Sequence, residues 1–102
     1  MLRFDHLIFW VREPADMAAR SAAFEAAGFT MTDRADAGRE SAAACQRLIC
    51  FRDGSYIELL TIRGAQARQA HRLAAFGEAG DGWVDYSLLS DDLAACAARL
   101  QG

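Results

Sequence analysis

His6 and Glu58 have side chains that can hold or polarise a ligand, and both sit among residues that make an unpartnered polar group costly. His6 falls in an alternating row, Leu2, Phe4, His6, Ile8 and Trp10, that is otherwise apolar. Glu58 falls in a second such row with Tyr56, Leu60 and Ile62. Burying a lone charge is expensive, so a glutamate in mid-strand on an apolar face requires a partner or a cavity. His6 and Glu58 could answer each other. Imidazole nitrogen and carboxylate oxygen suit Zn, Ni, Mn or non-haem Fe, and open coordination positions on such an ion admit a substrate oxygen. The plainer reading of the same residues is a hydrogen-bonded core histidine and a glutamate on a solvated sheet face.

Other candidates carry less. Cys50 could act as a nucleophile beside His6 only with a lowered thiol pKa, and its sequence neighbours supply no reason for one. His71 stands between Ala70 and Arg72 in an Ala- and Arg-rich stretch and reads as a surface residue. Residues 77–82 are glycine-rich but acidic and lack the Gly-Lys-Ser/Thr ending of a phosphate loop, so they read as a connector. Phe4, Trp10, Tyr56 and Tyr86 are aromatic residues that could line a ligand cup or simply fill a core.

The elements that must position these groups follow from the pattern. Leu2 to Val11 is apolar on both parities and reads as a central strand. Pro14 and Asp16 open a helix that runs to about Ala27, with Met17, Phe24 and the alanines as its packing side and Gly28 as its stop. Phe29 to Thr32 is expected as a short strand and residues 33–46 as a long loop. Arg47 to Arg52 and Tyr56 to Ile62 form a hairpin around Asp53-Gly54. Gly64 to about Phe76 is expected to be helical, and Trp83 to Leu89 a further strand.

That last strand repeats the first. Phe4-Asp5-His6-Leu7-Ile8-Phe9, followed by Asp16-Met17-Ala18-Ala19, returns as Val84-Asp85-Tyr86-Ser87-Leu88-Leu89, followed by Asp92-Leu93-Ala94-Ala95. Each copy leads from a strand through an Asp at a helix cap into an Ala-rich helix, and repeated units of this kind need one another to bury their apolar faces. Asp5 and Asp85 match, on the parity opposite His6 and Tyr86, and imply a shared structural task. Residues 1–62 then form one βαβββ unit, residues 63–82 a helical linker, and residues 83–102 the opening of a second unit.

Composition removes several functions. The chain has 102 residues, a net charge of −3, and eleven basic residues, all arginine, scattered from Arg3 to Arg99. A phosphate-backbone binder would gather such charge on one face, so nucleic acid is not an expected partner. The apolar run from Leu7 to Val11 is too short for a membrane span, and a signal-peptide core would not give way to Arg12-Glu13-Pro14 without a small-residue cleavage site. Cys45, Cys50 and Cys96 are odd in number and without Cys-x-x-Cys spacing, as suits reduced thiols in the cytoplasm.

With FDHLIFWV in the first strand, GF after the first helix and RLICFRDGSYIELLTI in the hairpin, the chain resembles the glyoxalase-like branch of the vicinal oxygen chelate superfamily over essentially its whole length. The resemblance implies an α+β fold with a mixed, curved sheet, in which two βαβββ modules cup a divalent metal and each gives one ligand from its first strand and one from its last. His6 and Glu58 would occupy the two first-module positions. Such sites act as lyases, isomerases or dioxygenases by chelating neighbouring substrate oxygens. Tyr86 stands at the position matching His6 in the second unit, and the strand bringing a fourth ligand is expected beyond Gly102, so a homodimer would be needed to complete the site. Metal-free relatives sequester small ligands, and that alternative places Phe4, Trp10, Tyr56 and Tyr86 around the cup. A third expectation is an inactive truncated module kept as an interaction surface.

Overall fold

The computed structural model describes residues 2–33 and 44–101, so most of the expected loop lies outside the described residues. The elements are β1 (Leu2–Trp10), a 3-10 turn (Pro14–Asp16), α1 (Met17–Ala26), β2 (Thr32–Asp33), β3 (Ala44–Cys50), β4 (Tyr56–Ile62), α2 (Ala65–Ala70), α3 (Ala74–Gly77), β5 (Gly82–Ser90) and α4 (Leu93–Gln101). The fold is α+β around one curved, unclosed sheet in the order β2-β3-β4-β1-β5. β1 is central, parallel to β4 and antiparallel to β5. Apolar residues on both parities of β1 follow from that place, since Ile8 and Trp10 are buried on one face while Phe9 packs on the other.

One face of the sheet carries the cluster Ile8, Trp10, Leu60, Ile62 and Leu73, the last supplied by the α2–α3 segment lying over it. The opposite face receives α1. There the Phe24 ring meets Phe9 edge-on at 5.6 Å between centroids, and Ser21 is buried one turn earlier. The packing stripe of α1 is therefore Met17, Ser21 and Phe24, and the alanines assigned to it face solvent.

Several boundaries differ from expectation for identifiable reasons. Phe29 does not begin a strand, because its N–H donates to Phe24 O while Gly28, at φ +103°, donates to Glu25 O. These two bonds form a Schellman stop, and the Phe24–Phe29 ring contact at 6.1 Å completes it. β2 is consequently reduced to Thr32–Asp33. β3 begins at Ala44, inside the expected loop, and ends at Cys50, because Phe51 to Ser55 form the turn. In that turn Phe51 N–H donates to Ser55 O, and Asp53 Oδ1 accepts from both Ser55 N–H and Ser55 Oγ–H. The expected helix from Gly64 to Phe76 is two short helices, broken where His71 adopts an extended backbone (ψ 141°) and its ring accepts the N–H of Leu73. The acidic connector is anchored: Asp81 accepts from Arg12 N–H at 2.9 Å and from Arg20 Nε at 2.6 Å.

Among the described residues no helix is long and apolar enough to cross a membrane.

Candidate functional site

In the parallel pairing of β1 with β4, His6 lies opposite Tyr56 and Ile8 opposite Glu58, so His6 and Glu58 are diagonal neighbours on one sheet face. Both line a cavity of about 300 Å³, together with Gln46, Tyr56, His71 and Arg72. Two residues 52 positions apart are thus brought together by the central parallel pair.

Glu58 is 6% exposed, and its Oε1 accepts a hydrogen bond of 3.0 Å from the Gln46 side-chain amide. The Tyr56 ring stacks on His6 at 4.5 Å between centroids and 9° between planes. The other side of the imidazole is held by an adjacent residue, with Nδ1 2.6 Å from Asp5 Oδ2. Neighbours in a regular strand point to opposite faces. Here the pairing steps from Phe4 opposite Leu88 to His6 opposite Ser87, which leaves Asp5 as the extra residue of a bulge and lets its side chain reach the His6 ring.

The α2–α3 segment forms the remaining wall. His71 is held below the ordinary histidine pKa mainly by burial and secondarily by the neighbouring Arg72 charge. Arg72 Nη1 donates to Asp85 Oδ2 at 2.8 Å, and that hydrogen bond is the largest cause holding the Asp85 carboxyl below the usual carboxylate range. Asp85 also accepts the Tyr86 N–H.

Four aromatic residues were expected around one cup, and the structure disperses them. Tyr56 is in the cavity. Trp10 is 1% exposed in the core cluster and borders a separate cavity of about 390 Å³ under α2 and α3. Phe4 lies opposite Leu88, near the start of β1, and is 44% exposed. Tyr86 pairs with Leu7, on the face away from His6, because Val84 is the extra residue of a second bulge between Ile8–Asp85 and Phe9–Trp83. That bulge reverses the expected parity, so Asp85 rather than Tyr86 shares the face of Ile8. Cys50 is exposed and does not line the cavity.

Gln46, His71, Arg72, Asp5 and Asp85 were not identified from the sequence as site residues. Gln46 had a readable signal, because Ala44, Gln46 and Leu48 alternate as a strand face does. The others depend on two bulges and a broken helix that periodicity does not record.

A divalent ion needs three or four protein donors in a closed or catalytic site. His6 and Glu58 have the right chemistry for two of them, yet among the described residues no group of three His, Cys, Asp or Glu side chains could hold an ion. The donor types fit, and their number among the described residues of one chain does not.

A family model of a glyoxalase-like domain matches residues 4–102. Among solved structures, a Streptomyces coelicolor methylmalonyl-CoA epimerase variant in complex with 2-nitronate-propionyl-CoA shares the fold with a TM-score of 0.60. The alignment has 17% identity and covers 97% of this chain and 69% of that one. Comparison with curated proteins gave no match.

Proposed function

The chain belongs to the glyoxalase-like domain family, and from that premise we propose that the sheet face bearing His6 and Glu58 is a small-molecule site, one half of a divalent-metal centre that a second copy of the chain completes. The observation that carries this reading is the convergence of an imidazole, a buried carboxylate and an amide from β1, β4 and β3 on one cavity. Residues 1–62 act as the module that owns the half-site, and residues 83–102 open a second unit whose β5 extends the same sheet.

Two chains related by a two-fold axis would present His6 and Glu58 twice and reach four donors. The surface suits association: β5 is a sheet edge, and Leu88, Leu93 and Leu100 are exposed along β5 and α4. A divalent ion so held would supply Lewis-acid stabilisation of an oxyanion or enolate on a ligand with two neighbouring oxygens. The protein's own groups would orient that ligand: Gln46 fixes the Glu58 carboxylate, Tyr56 fixes the imidazole plane, and Arg72 places a cation at the rim. Lyase, isomerase and ring-cleaving dioxygenase chemistry all fit such a site. The neighbour's bound coenzyme A derivative adds acyl thioesters to the ligand classes worth testing.

A metal-free ligand site is favoured by one observation of its own, the shortage of donors among the described residues of one chain. Its lining is then His6, Tyr56, Gln46 and Arg72 rather than the four aromatic residues anticipated from the sequence.

Metal content per chain, measured with the solution mass on the same sample, separates the two. A dimer that holds Zn, Ni, Mn or Fe and loses it in His6→Ala and Glu58→Ala supports the shared centre. A protein that stays empty when offered each of these ions overturns it and leaves the metal-free site.

A further inference from the structure

Asp5 has no role in the function proposed above, and its contact is unusual for its place in the chain. The side chains of Asp5 and His6 are 19% and 15% exposed, and the bulge brings the carboxylate Oδ2 to 2.6 Å from His6 Nδ1. A carboxylate only accepts, so in the neutral imidazole this contact requires the single ring proton to sit on Nδ1. Nε2 then carries the free lone pair, and Tyr56 stacked on the ring fixes the plane in which that lone pair lies. A carboxylate behind the distal nitrogen of a histidine sets its tautomer and raises its basicity as a ligand.

We propose that Asp5 is a positioning residue for His6: the β1 bulge places its carboxylate behind Nδ1 so that the imidazole presents an unprotonated Nε2 to a ligand or metal ion. The consequence for metal binding rests on the reading of His6 as a metal ligand. The tautomer itself does not.

The chain supplies its own control. His71, the other histidine, has Nδ1 accepting the Leu73 N–H at 3.2 Å, which requires the opposite tautomer, with the proton on Nε2. The two imidazoles line the same cavity with opposite protonation patterns.

Long-range nitrogen–proton correlation spectra of the metal-free full chain at alkaline pH read both tautomers directly. In the wild type His6 should be protonated on Nδ1 and His71 on Nε2. Asp5→Ala should return His6 to the Nε2-protonated form while His71 keeps its pattern, and should weaken Zn²⁺ binding by about 10- to 100-fold. If the His71 resonances also move, so that the fold is disturbed, Asp5→Leu, which keeps the branched side-chain shape and offers no acceptor, is used to test the same change. A wild-type His6 protonated on Nε2, or one whose tautomer is indifferent to Asp5, overturns the proposal. A chain with the expected tautomers that takes up no Zn²⁺ upholds the positioning role and removes the metal centre instead.

Discussion

β1 and β5 are near copies in sequence and opposites in circumstance. β1 has a partner on each side, whereas β5 is an edge strand. Each copy holds one of the two tryptophans: Trp10 is 1% exposed in the core cluster, and Trp83 is 54% exposed against Phe9 and Phe24. Each copy holds an Asp before the matching residue, and Asp5 supports His6 while Asp85 pairs with Arg72. A repeated pattern therefore specifies the same element twice without specifying the same environment, because the environment depends on what lies on either side of the strand.

The strongest way to break this contrast is to truncate both tryptophans. Trp10→Ala removes a fully buried indole and should cost about 3–5 kcal/mol. Trp83→Ala loses two edge-to-face contacts at a half-exposed site and should cost about 1–2 kcal/mol. Urea titration of the two variants measures both, and equal losses would show that β5 is as well covered as β1.

Gly77→Ala probes the cover over β1 from the other side. A Cβ on Gly77 would overlap the Trp10 indole ring, so overpacking should cost about 1–3 kcal/mol. Gly82→Ala, at the start of β5, meets nothing within 4 Å and should leave the urea midpoint close to that of the wild type.

The helix entrances differ in the same way. Both copies place an Asp before the helix, and the sequence makes them equivalent caps. Asp92 Oδ1 accepts the Ala95 N–H at 3.0 Å, whereas Asp16 makes no side-chain capping bond, because α1 is entered through the Pro14–Asp16 turn. Asp92→Ala should cost about 1 kcal/mol and Asp16→Ala much less, as read from the two thermal midpoints.

These contrasts mark what periodicity can and cannot carry. Tyr56–Ile62 falls where its alternation placed it, and His6 and Glu58 share a face because the β1–β4 register sets the apolar row of one strand beside that of the other. Gly28 stops α1 as its type suggests. Tyr86 was misplaced because one extra residue, Val84, reverses the face of everything beyond it, and a period-two argument contains no term for that. The same limit hid Asp5, whose parity put it on the far face until the bulge returned it. His71 was hidden differently: its helical pattern is intact, and the break comes from its own ring capturing the Leu73 N–H.

His71 also sharpens the comparison at the smallest scale, because it carries a pH dependence that the cover over β1 imposes. Burial and Arg72 hold its folded pKa below the ordinary value of about 6.5, so in the acid range the unfolded chain binds the proton more readily than the folded one. Its contribution to stability is therefore unaffected above about pH 6.5, falls as pH drops below that value, and levels off once the lower folded pKa is passed. His71→Asn keeps an acceptor for the Leu73 N–H, as an Asx turn would, and cannot titrate. Subtracting the variant's stability profile from the wild-type profile isolates this residue from His6 and the carboxylates. The difference should be flat at alkaline pH and bend against the wild type on the acid side. A difference that stays flat down to pH 5 would mean that the α2–α3 segment opens freely enough to leave His71 solvated, and that the wall it gives the His6 cavity is transient.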